Sequence, residues 1–287
     1  MSVRGRSLDA VSLAEAVEAL VRASVGFGDA DLDRAYAWRD YGGDGLRFAL
    51  LVAHQELRTC AADLAAERDH AASFTLAQRT LGQYGTARRD LTGILAGVRD
   101  DEWDRAPAEA QWPLRTVVAH VLGAERAFLA AILLALDAAR AGRAPTPPTR
   151  EERAARVPLE EPAGDGAAVR DALGRSHARV LHECVAIADA ELPTPSFFWE
   201  AEPYPVRFRL GRFEAHLRQH AVQAEKTLAG IAHPPTEAER LARLLHGALG
   251  EAEGALVGAP PSLGAERLAA CAATIGDLAR QVAAAAR

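Results

Sequence analysis

Residues 112–140 read WPLRTVVAHVLGAERAFLAAILLALDAAR, a run of strong helix formers opened by a proline and free of β-type alternation. Proline suits a first helical turn, where its missing N–H has no partner to lose. Helical periodicity extends outward on both sides. Upstream it predicts helices over residues 8–25, 45–68 and 73–98; downstream over 166–190, 206–231, 236–257 and 263–286. Leu76, Leu81, Tyr84, Leu91 and Leu95 form a broad apolar stripe on the third, and the pairs Pro234-Pro235 and Pro260-Pro261 separate the last three.

Two connections break the pattern. Residues 144–162, APTPPTREERAARVPLEEP, are longer than antiparallel neighbours need, so they predict a crossover along a bundle. Residues 192–205, LPTPSFFWEAEPYP, place aromatics in a proline-rich loop, either capping a core or lining a pocket mouth. The expected architecture is all-α. Residues 73–233 form a central four-helix bundle with the crossover between its second and third helices; residues 1–72 and 234–287 supply flanking helix pairs. A short internal echo, GDADLDRAYAW at 28–38 with RDDEWDRAPAE at 99–109 and LVAH at 51–54 with VVAH at 117–120, suggests that the flanking pairs build a degenerate second bundle. Packing of each pair onto the central bundle is the alternative.

Composition limits the partners. The chain has 287 residues, is 49% hydrophobic and 25% charged, and carries a net charge of -6, which disfavours nucleic acid or an anionic membrane as a partner. Lys226 is the only lysine, and the arginine- and alanine-rich usage is that of a GC-rich genome. Cys60, Cys184 and Cys271 are scattered without a CxxC pair, which suits a reducing cytoplasm. The N-terminal MSVRGRSLDAVSLAEAVEAL lacks a signal peptide's apolar stretch, and the apolar run Ala127 to Leu136 is shorter than the roughly 20 residues that span a bilayer. The expectation is a cytoplasmic protein acting on a small molecule.

Nine histidines are present. In RFEAHLRQHAVQAEK, residues 212–226, His216 and His220 share a helix face with Cβ atoms about 5–6 Å apart. Two such imidazoles suit one metal ion or stand as a solvated pair. Gln223 follows at a spacing that reaches the same site. His120, among Val117, Val118, Val121 and Leu122, reads as poorly placed for solvent, so it needs a metal or a backbone carbonyl as partner. Glu125 and Glu225 each lie five residues after a histidine and tend to face away. His177 and His182 fall on different faces, and His182-Glu183 fails as HExxH because Ala186 stands where the second histidine belongs. Neither a phosphate-cradling GxxxxGK loop nor a GxSxG elbow is present.

The spacing from Trp112 to His120, the following HVLGAERAFL with Glu125 and Phe128, and the trio His216, His220 and Gln223 resemble the second-helix and last-helix signatures of the DinB-like family. The resemblance covers about residues 74–233. It implies a four-helix bundle holding a divalent metal on His120, His216 and His220. The family includes transferases and isomerases that use a thiol such as mycothiol or bacillithiol, metal-dependent hydrolases, and members of unknown activity. Members of the family often form homodimers, and this chain is expected to be either a homodimer or, with the extra helices in place of the second subunit, a monomeric pseudo-dimer; the extra helices could also close the site differently.

Three neutral imidazoles leave a coordination position open, where a bound thiol or water is acidified. Zinc is the default ion; nickel and ferrous iron also accept imidazole. The first expectation is thus a metal-dependent transferase or isomerase with mycothiol as co-substrate. Phe197, Phe198, Trp199 and Tyr204 would shape the substrate end, and Arg207, Arg209 or Arg212 would hold a carboxylate. The second is a hydrolase, for which Glu125 is the candidate proton carrier. The third is a non-catalytic bundle with a structural metal or a bound ligand. His54 is the echo of His120, but residues 263–286 carry no histidine, so one metal site is expected.

Overall fold

Short capping motifs set many of the helix ends. The Ser12 hydroxyl accepts from the Glu15 N–H while the Glu15 carboxylate accepts from the Ser12 N–H, and the helix Leu13–Ser24 (α1) starts there. The same reciprocal pair, Thr75 with Gln78, opens Leu76–Ile94 (α4), and Thr236 with Glu239 opens Glu237–Ala255 (α9). Asp165 caps Gly166–Cys184 (α7) through the Ala168 N–H. Pro113 and Pro205 are the N-caps of Leu114–Arg140 (α5) and Val206–Gly230 (α8). The remaining helices are Asp29–Leu32 (α2), Leu46–Ala71 (α3), Arg150–Arg156 (α6) and Ala265–Ala285 (α10). This is a computed structural model; it describes residues 12–71, 74–159, 161–200 and 202–286. The helix starts expected at residues 8 and 73, and the boundary at 72/73, lie outside those ranges.

The chain is all-α, as the periodicity indicates, with three additions. The turn α2 and the crossover helix α6 are too short to show a period. Pro195–Ser196 (β1) and Tyr204–Pro205 (β2) form a small antiparallel pair in the aromatic loop. Two expected helices also end early: the third stops at Ile94, and the fifth stops at Cys184 before a separate 3-10 turn over Asp189–Glu191. The crossover is anchored where the Arg126 Nε–H donates to the Val157 carbonyl at 2.7 Å, with Val157 itself buried.

Helices α4, α7, α5 and α8 ring one core, which includes Leu81, Leu91, Trp103, Val121, Leu133 and Phe213. Helices α1, α10, α3 and α9 ring a second core, which includes Leu20, Leu50, Leu57, Leu249 and Ile275. In the first ring α4 lies diagonally from α5 and α7 from α8; in the second α1 lies diagonally from α3 and α9 from α10. Each buried Leu or Phe contributes about 1.5–3 kcal/mol. The two bundles meet along α4 and α9, where Gly82 and Gly254 face each other: a Cβ on either would lie within 2.9 Å of the other's carbonyl oxygen. Across this seam Arg243 pairs with Asp90 at 2.7 Å, and Arg89 grips Glu253 with two hydrogen bonds of 2.8 and 2.5 Å.

Helix α5 is, by length and composition, able to cross a bilayer, although its longest unbroken apolar run is short. In the fold, 61% of its apolar window is buried inside the molecule, and α7 and α8 pack on it.

Candidate metal centre

Helices α5 and α8 run antiparallel: the Thr227 hydroxyl lies 3.4 Å from the Trp112 carbonyl at one end, and Phe128 meets Phe213 edge-on at 5.8 Å at the other. Midway between these contacts, His120 of α5 faces His216 and His220 of α8. The Nε2 atoms of His216 and His120 are 3.2 Å apart, and those of His216 and His220 are 3.0 Å apart. One ligand atom from each of the three rings falls within 4.8 Å of the others. Three converging imidazole nitrogens cannot satisfy one another, because each contact needs one donor and one acceptor. A tetrahedral ion with bonds of about 2.0–2.1 Å would hold its ligand nitrogens about 3.3 Å apart, close to the observed separations.

The surroundings favour neutral rings with free lone pairs. Gln223, one turn beyond His220, accepts from its Nδ1–H at 2.7 Å; this fixes the tautomer and leaves Nε2 unprotonated. Burial lowers the His216 pKa to about 3, with the neighbouring His220, His120 and Arg212 adding to the effect. Burial lowers His220 as well. Phe128 sets its edge against His216 at 5.6 Å. The Nδ1 of His216 is buried without a hydrogen-bond partner among the described residues. These three residues can hold a divalent metal ion.

His120 differs from its expectation. Val117, Val118, Val121 and Leu122 are buried on the core side of α5, whereas His120 is exposed on the side that opens to two cavities. One cavity, about 550 Å³, is lined by Trp112, His120, Gln219, His220, Gln223, Lys226 and Thr227. The other, about 670 Å³, is lined by His120, His216, Phe128, Phe198, Trp199, Glu200, Tyr204, Phe208, Arg209 and Arg212. The histidines stand at the junction.

Phe198, Trp199, Tyr204 and Arg209 therefore share a wall with two of the histidines, while Phe197 and Arg207 lie off it. Arg209 does not offer its fork to a ligand. It is 1% exposed and holds Glu200 through two hydrogen bonds of 2.6 Å. That pair pins the loop between β1 and β2 and keeps the Glu200 carboxyl below the usual carboxylate range. Arg212 faces the same cavity with no ion pair among the described residues. Glu125 lines neither cavity; it is buried and accepts from the Tyr84 hydroxyl at 2.8 Å and the Ser176 hydroxyl at 2.6 Å. Phe208, Gln219 and Lys226 were not expected at the site. Their sign in the sequence is their place on the α8 stripe that runs through residues 212, 216, 220 and 223.

Residues 83–224 match the family model described as DinB superfamily, a stretch from within α4 to within α8 that contains all three histidines. Comparison with curated proteins and with solved structures gives no match. With the histidine cluster inside the matched stretch, the chain's central bundle belongs to the DinB superfamily.

Proposed function

We propose that this protein is a cytoplasmic, metal-dependent transferase or isomerase that joins a low-molecular-weight thiol of the mycothiol kind to an apolar electrophile, or uses that thiol to isomerise one. The observation that carries the reading is the meeting of three imidazoles at the junction of two cavities of different character. A divalent ion on His120, His216 and His220, zinc by preference and nickel or ferrous iron otherwise, would acidify a thiol and so supply a nucleophile at neutral pH.

The chain's own residues provide binding and orientation. Gln223 holds His220 in the ligating tautomer. Gln219, Lys226 and Thr227 offer polar partners to a hydrophilic thiol. Phe128, Phe198, Trp199, Tyr204 and Phe208 give the second substrate an apolar bed, and Arg212 suits a carboxylate on it. Cys60, Cys184 and Cys271 are all buried, so the nucleophile is taken from outside the chain. The second bundle would stand where a partner subunit stands in a dimer, leaving this chain a monomeric pseudo-dimer.

A hydrolase on the same scaffold ranks second for one reason. It needs a carboxylate to move the proton, yet Glu200 is held by Arg209 and Glu125 is turned into the core.

Elemental analysis of the purified protein should find about one equivalent of divalent metal. His216→Ala and His220→Ala should each lose it, and metal retained by both variants would remove the site. Mycothiol should raise the melting temperature of metal-loaded protein and leave stripped protein unchanged. If no thiol in a panel does so, the thiol chemistry is rejected and the hydrolase reading takes its place.

A further inference from the structure

We infer that the cleft between the two bundles is a second ligand site, separate from the histidine centre, and that it takes a small organic anion bearing a phosphate or carboxylate group. Here α1 and α7 stand apart on either side of α4 and α9, leaving a cavity of about 640 Å³. Arg22, Arg88 and Arg170 line it, against two acids, Glu18 and Asp171.

The acids nearest the floor are already engaged. Arg89 takes Glu253 with two hydrogen bonds of 2.8 and 2.5 Å and also reaches Glu18 at 3.3 Å. Arg88, the next residue, is left with a 3.6 Å approach to Glu253, and its buried Nε–H has no partner among the described residues. Beside it on the floor is His246, 1% exposed, with neither ring nitrogen hydrogen-bonded among the described residues and a carboxylate oxygen of Glu18 4.0 Å away. Burial, reinforced by the charges of Arg89 and Arg88, lowers its pKa to about 3, so at neutral pH the ring has one N–H to donate.

Unmade buried hydrogen bonds of this kind are destabilising and rare in a packed interior. Here they share one cavity wall with an excess of fixed positive charge. A small side-chain shift that opens Arg88 and His246 to the cavity would let an anion accept from both, and it would meet Arg22 and Arg170 at the rim. Val21, Val25 and Ala178 line the same space and leave room for an apolar portion.

Calorimetric titration of the intact, metal-loaded protein with inorganic pyrophosphate and, separately, with citrate tests the site. At least one should bind saturably, and which one does assigns the head group. Arg88→Gln and His246→Leu should each weaken binding by roughly tenfold or more. Arg170→Ala, at the partly exposed rim, gives up only one 3.4 Å hydrogen bond to the Leu95 carbonyl and should weaken it several-fold. His216→Ala should bind the anion as the unmodified protein does. The inference is overturned if neither probe binds, if Arg88→Gln and Arg170→Ala both bind normally, or if binding disappears in His216→Ala.

Discussion

Glu125 lies five residues after His120 on α5, and its side chain leaves the helix on another side. Burial lifts its pKa to about 7; the hydrogen bonds from Ser176 and Tyr84 and the charge of Arg88 act the other way. The folded protein thus keeps this proton to near neutrality, whereas the unfolded chain releases it at the ordinary glutamate value. Between those two points stability falls as pH rises, and above the folded value the full penalty, on the order of 3 kcal/mol, is present. Glu125→Gln keeps partners for Tyr84 and Ser176 and cannot ionise. It should therefore flatten the slope and make the protein more stable at pH 8, while changing little at pH 5, as read by urea unfolding midpoints. An unchanged slope would assign the dependence elsewhere. The spacing shows that Glu125 turns from His120, but not its burial, because Tyr84 and Ser176 come from two other helices. Spacing likewise puts His216 and His220 on one face. Only the antiparallel packing of α5 on α8 brings His120 to them.

At the scale of elements, the helices were legible where sequence supplied both a period and an end. Leu76 to Leu91 repeats at helical spacing after a Thr75–Gln78 cap, and α4 follows it. The seven residues of α6 have a cap in Thr149 and Glu152 but too few turns for a period, and they stay in place through Arg126 and the buried Val157. The two-residue strands β1 and β2 carry no alternation at all. The close contact of α4 with α9 was not legible either, since a glycine inside a helix reads as a weakness until its neighbour is known. Gly254→Ala puts a methyl group 2.9 Å from the Gly82 carbonyl oxygen. Despite alanine's better helix propensity, it should destabilise the protein by about 1–3 kcal/mol in urea unfolding. A neutral or stabilising result would mean that the helices separate easily.

For the whole molecule, the second core is assembled from both ends of the chain. Leu20 and Leu50 come from the N-terminal helices, while Leu249 and Ile275 come from the C-terminal ones. A chain cut after residue 233 would keep α4, α5, α7 and α8 but strip α1 and α3 of their covering and expose the α4 face that α9 occupies. It should self-associate on gel filtration and lose the near-ultraviolet dichroism of fixed aromatic packing. A monodisperse, cooperatively unfolding product would show that the central bundle is self-sufficient.

The loop over the aromatic cavity hangs from one internal ion pair, Arg209 with Glu200, and from strands of two residues each. The histidines, by contrast, ride on the middles of two long helices. Residues 197–200 and 202–204 can accumulate change without displacing the rings, so descendants of this sequence would drift apart in what they admit well before they lose the machinery that awaits it.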